Sequence, residues 1–123
     1  MLSLILLASL AGSFGALIRA GVASNLNGRF PLGTFVINIT GSFGIGLLSA
    51  LYLGAVISEQ WYFILGAGLL GGMTTFSTWA LEGLSLFEDK ERMRSISYLL
   101  GTLVLAYIAA LVGHMIMRGL VSS

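Results

Sequence analysis

Gly66-Ala67-Gly68-Leu69-Leu70-Gly71-Gly72-Met73-Thr74-Thr75-Phe76-Ser77-Thr78-Trp79 is the stretch on which the fold turns. It carries no charge and lies within a longer uncharged run bounded by Glu59 and Glu82. A helix of ~20 apolar residues crosses the ~30 Å hydrocarbon core of a bilayer, and this run is long enough. Its middle resists helix, however. Paired glycines lose the most backbone freedom on ordering, and the Thr and Ser hydroxyls that follow compete for backbone hydrogen bonds. In lipid such a break is tolerated only where the freed backbone is buried or lines a polar cavity. The stretch therefore predicts a membrane span that breaks near residues 72–75 and leaves carbonyls available to a cation.

Working outward, charges punctuate the rest of the chain. Residues 30–58, between Arg29 and Glu59, carry none, and neither do residues 95–117 before Arg118. The N-terminal apolar stretch runs on past Arg19 to about Leu26. These runs predict one domain, residues 1–123, with spans at about 2–26, 32–57, 61–87 and 95–117. Strand-like alternation is absent, so the spans are helices and the class is an all-α membrane protein. Trp61, Tyr62 and Tyr98 fall near span ends, where amphipathic rings settle.

Composition agrees. Of 123 residues, 57% are hydrophobic and 9% are charged, which a small water-soluble ball cannot hide. Disorder is excluded by the same balance. A net charge of +1 with no basic face excludes nucleic-acid binding. Zero cysteines and a lone His114 leave no thiolate site and no His-rich metal site. The N-terminal run lacks a basic lead and continues into membrane sequence, so no signal peptide is expected. Lys and Arg in the first and third loops (Arg29, Lys90, Arg92, Arg94) outnumber those at the other end, which favours those loops in the cytoplasm and both termini outside.

Intramembrane polar groups are the candidate functional residues. Asn38 and Thr34 are one turn apart on the second span and share a face. The pair is either an interhelical hydrogen-bond staple or a donor set for an anion. Phe76 and Trp79, spaced i, i+3, put two aromatic rings on one face beside the hydroxyls of Ser77 and Thr78. The positive ring edge can face an anion without a fixed charge that would trap it. Arg19 and Glu82, near span ends, either snorkel to the interface, pair structurally or shape a pore mouth. No Asp, Glu, Lys or His lies at a span centre, which argues against a proton-coupled carrier and suits passive conduction. No nucleophile–base set or phosphate loop is present, so the chain is not expected to be an enzyme. Gly41-Ser42-Phe43-Gly44-Ile45-Gly46 has a dinucleotide-loop look, but it lies within a span without a preceding strand. Gly12 with Ala16, Ser42 with Gly46, and Gly68 with Gly72 have the small-residue spacing of close helix packing.

These residues resemble the CrcB/Fluc family of fluoride channels over nearly the whole chain. The likeness rests on Gly12-Ser13-Phe14-Gly15-Ala16-Leu17-Ile18-Arg19, on Gly33-Thr34-Phe35-Val36-Ile37-Asn38-Ile39-Thr40-Gly41-Ser42-Phe43, and on the Gly68–Trp79 stretch with Glu82 after it. The resemblance implies a dual-topology antiparallel dimer in the cell membrane, formed with a second inverted copy or with a paralogue of opposite orientation. It implies fluoride as the permeant ion, passing Asn38, Thr34, Phe76, Ser77 and Thr78. It also implies a structural Na⁺ held by the backbone carbonyls of Gly71 and Thr74, and Arg19 and Glu82 near the pore mouths. The family's usual second phenylalanine is Trp79 here. Tyr98 and Thr102 stand where the fourth span should add hydroxyls, but Ala106, Ala109 and Ala110 follow. The alternative is a small four-span drug exporter, which needs an acidic residue in its first span; residues 1–26 contain none. A subunit that only packs helices is a third reading.

Overall fold

A computed structural model describes residues 1–123. Four helices are long and apolar enough to cross a membrane: Leu2–Leu26, Leu32–Leu53, the bent Glu59–Glu88, and Arg92–Ser122. There are no strands; an isolated bridge, Asn27 to Pro31, closes the first turn. The second span ends at Leu53, four residues before the expected boundary, at a turn in which Ala55 takes a left-handed φ of 58°. The fourth continues through Arg118 to Ser122. Leu10, Leu17, Leu105 and Ile116 are exposed, as side chains facing acyl chains would be.

Helix packing follows the glycines. The second and fourth spans lie against each other over most of their length. A Cβ on Gly46 would overlap the Ala110 carbonyl, and one on Gly113 the Phe43 carbonyl. The first span packs on the first half of the third, where Gly72 meets the Gly12 backbone and Gly68 meets Ala8. Side chains there would hold the backbones apart, so small residues set the contact.

The third span is interrupted. Its first half, residues 59–73, includes a π-helical stretch, Phe63–Leu70, and the next N–H, that of Gly71, reaches back five residues to the Gly66 carbonyl. This widened turn was not expected from the sequence. Regular helix stops at Met73, and Thr74 is extended (ψ 161°). Its N–H and hydroxyl both bond the Leu70 carbonyl, at 2.9 and 3.0 Å, and close the first half. Helix resumes over Ser77–Glu88, with the Thr75 hydroxyl accepting the Thr78 N–H at 3.3 Å. The break thus falls at residues 74–76, at the end of the expected interval.

Candidate functional site

A break in lipid needs partners for its backbone. Asn38 of the second span supplies them. Its Oδ1 accepts the Thr75 N–H and its Nδ2 donates to the Thr75 carbonyl, both at 2.9 Å. The Arg19 guanidinium donates to the Thr74 carbonyl at 3.3 Å. The first, second and third spans therefore all meet at the break. Asn38 is an interhelical staple, and one hydrogen on its amide nitrogen remains for a ligand.

A groove of about 480 Å³ runs along this junction. Asn38, Ser42, Gly71, Thr74, Thr75, Phe76, Trp79 and Thr102 line it, and none of its wall residues is charged. Phe76 stands 74% exposed at its side, with its ring centroid 5.1 Å from that of Trp79 and the planes tilted by 47°. Ser42, one turn beyond Asn38, reads from the sequence only as a packing residue spaced from Gly46. Its spacing of four from Asn38 is the signal that could have found it.

Other expected residues fall elsewhere. Ser77 and Thr78 are exposed and outside the groove wall. Positions one and two after Phe76 on a helix turn away from its face. The Thr102 hydroxyl donates to its own helix, at the Tyr98 carbonyl, so it is committed.

Thr34, Glu82 and Tyr98 form a second, inner cluster. The buried Thr34 hydroxyl donates to Glu82 Oε1 at 2.8 Å and accepts from Asn27 Nδ2 at 3.3 Å. Asn27 Oδ1 also accepts the Gly33 N–H at 2.7 Å, which caps the start of the second span. Tyr98 packs edge-on to Phe30, with centroids 5.5 Å apart. A separate polar cavity of about 700 Å³, lined by Asn27, Arg29, Glu82, Asp89 and Glu91 among others, lies at this end of the bundle. Arg19 and Glu82 thus turn inward to partners rather than snorkel outward.

The residues present fit a hard monovalent cation at the break. In an unbroken helix the Thr75 N–H would bond the Gly71 carbonyl; here it goes to Asn38. The Thr74 carbonyl takes a single long bond from Arg19. Gly71 and Thr74 both line the groove, and neutral carbonyl oxygens at unwound helix are the ligands Na⁺ takes. Two oxygens are an incomplete shell, so the remainder would come from outside this chain.

With that geometry in place, similarity can be weighed. The family model described as "CrcB-like protein, Camphor Resistance (CrcB)" matches residues 6–114. The chain belongs to the CrcB family. Relatives include "Fluoride-specific ion channel FluC 1" of Leifsonia xyli subsp. xyli, 41% identical over 89% of this chain and 82% of that protein. "Fluoride-specific ion channel FluC" of Paracoccus denitrificans is 40% identical over 91% of this chain and 92% of its own. The protein of that name in Helicobacter pylori strain P12 is 34% identical over 93% and 92%. These CrcB relatives are named as channels, not as enzymes.

Proposed function

We propose that this chain forms a fluoride-selective channel of the cell membrane that lets fluoride leave the cytoplasm passively. The observation that carries the reading is the uncharged groove at the broken third span, with Asn38, the Phe76 ring and Trp79 along it. The names of the relatives point the same way.

The physical problem is dehydration. An isolated ion in an apolar medium is prohibitively costly, so donors must replace the lost water. Asn38 offers an N–H, Ser42 a hydroxyl, and Phe76 a positive ring edge. The Tyr98 hydroxyl lies farther along, toward the end of the bundle that holds Glu82, while the Thr34 hydroxyl has its one hydrogen committed to Glu82. Ser77 and Thr78, exposed on one subunit, join the path only where a second subunit covers them. Because hydrogen fluoride crosses lipid neutral and dissociates inside, fluoride accumulates. An inside-negative potential expels it with about 2.3 kcal/mol per charge per 100 mV.

The active unit is a pair of inverted subunits, which covers the exposed face around Phe76. The partner is a second copy or a paralogue of opposite orientation. Gly71 and Thr74 from each subunit would hold one Na⁺ at the interface, whose charge offsets that of anions on either side. The first three spans of this chain orient the break, and Arg19 steadies the Thr74 carbonyl.

Purified chain in liposomes should release fluoride under a K⁺-diffusion potential with no pH gradient. Chloride should remain trapped. Release by this chain alone establishes the homodimer; release only with a co-expressed paralogue establishes the mixed pair. Vesicles that stay tight to fluoride under both conditions overturn the proposal, as would proton-coupled drug uptake in its place.

A further inference from the structure

Three buried side-chain polar atoms in the chain lack a hydrogen-bond partner: Trp79 Nε1, Glu82 Oε2 and Tyr98 OH. A buried indole N–H ordinarily finds an acceptor, because it can only donate and its desolvation is otherwise uncompensated. Trp79 is 9% exposed. It lines the central groove and belongs to the same buried cluster as Leu86 and Tyr98.

The groove also lacks donors on its fourth-span wall. The Thr102 hydroxyl is spent on the Tyr98 carbonyl. Leu103 and Ala106, the other fourth-span residues in the wall, have none. We infer that the Trp79 indole N–H is a fluoride donor in this chain, supplying the hydrogen bond that the fourth span does not. The inference rests on the channel reading above and adds to it a residue that sets rate and selectivity. A neutral N–H binds an anion more strongly than a ring C–H, yet it adds no fixed charge to hold the ion in place.

The test removes that one hydrogen. Benzothienylalanine at position 79 keeps the bicyclic shape and replaces N–H by sulfur. Fluoride efflux should fall at least tenfold, with the melting temperature in detergent held. Trp79→Phe should slow flux as well, and Trp61→Phe, at an exposed site outside the groove, should leave it unchanged. In a ¹⁵N-indole titration fluoride should move the Trp79 N–H resonance and leave that of Trp61 in place, and equal chloride should move neither. Wild-type flux in the benzothienyl protein overturns the inference while the channel reading stands. Should the wild type not conduct, the channel reading fails, and the titration alone decides whether Trp79 binds fluoride; an unmoved resonance refutes it.

Discussion

Replacing Asn38 by Leu tests the break and the pore together. Leu has the same branched heavy-atom skeleton but can neither accept the Thr75 N–H nor donate to the Thr75 carbonyl, the two 2.9 Å bonds that hold the break. A buried backbone group left unmet costs about 1–3 kcal/mol, so two cost about 2–6. In lipid the loss tends to the low end, since interhelical hydrogen bonds there average about 0.6 kcal/mol and freed groups find other partners. A loss of about 2 kcal/mol corresponds to a melting shift of roughly 8 °C for a chain of this size. Efflux should drop more than tenfold, because both the break geometry and the amide donor go. The assay pairs fluoride efflux with thermal unfolding of the same preparation in detergent. If Asn38→Leu melts and conducts as the wild type does, the clamp is not what holds the third span open, and the reasoning fails.

Other perturbations isolate single contacts. Phe76→Ile should cut efflux at least tenfold while the subunit keeps its fold, since the ring is exposed on the subunit and its loss opens no cavity within it; unchanged flux would remove Phe76 from the path. Gly72→Val should abolish a monodisperse peak on size exclusion, because its Cβ would overlap the Gly12 carbonyl; a normal peak would contradict the packing of the first and third spans. Lys90→Gly should raise stability by about 1 kcal/mol without changing flux. Lys90 takes a φ of 62° just past the end of the third span, while the Glu91 N–H bonds the Leu86 carbonyl at 3.0 Å, an arrangement glycine suits. An unchanged or lower melting point would count against strain at that turn.

Much of the architecture is written in local patterns. Charges at Arg29, Glu59 and Arg118 bound the spans, and Gly71-Gly72 ahead of Thr74-Thr75 marks the break, because lipid punishes charge and unpaired backbone alike. What spacing cannot show is which residues meet. Asn38 grips Thr75, Thr34 bonds Glu82, and Arg19 reaches Thr74 across 37, 48 and 55 residues of chain, so each pairing depends on how the helices dock. The inner cluster of Thr34, Glu82 and Tyr98 was therefore read as three separate features. The π-helical Phe63–Leu70 was hidden for a related reason, since its widened turn lies against the backbone of the first span. Ser77 and Thr78 were grouped with Phe76 by sequence proximity, although helical geometry alone turns them from its face.

The absence of charge from the groove wall has a kinetic meaning. A guanidinium 4 Å from a permeant anion, at an effective dielectric constant near 20, would hold it by about 4 kcal/mol. Each 1.4 kcal/mol is tenfold, so such a contact would lengthen residence nearly a thousandfold. Arg19 is close enough to matter, yet its guanidinium is turned to the Thr74 carbonyl and does not line the groove. Neutral donors can replace water without forming such a trap, and they need exact placement because none is strong alone. Asn38 obtains that placement from the break itself: the bonds that fix Thr75 also fix the amide plane, and with it the direction of the remaining N–H. In the proposed channel, fold and selectivity therefore share one side chain, and a change that loosens the break also misaims the donor.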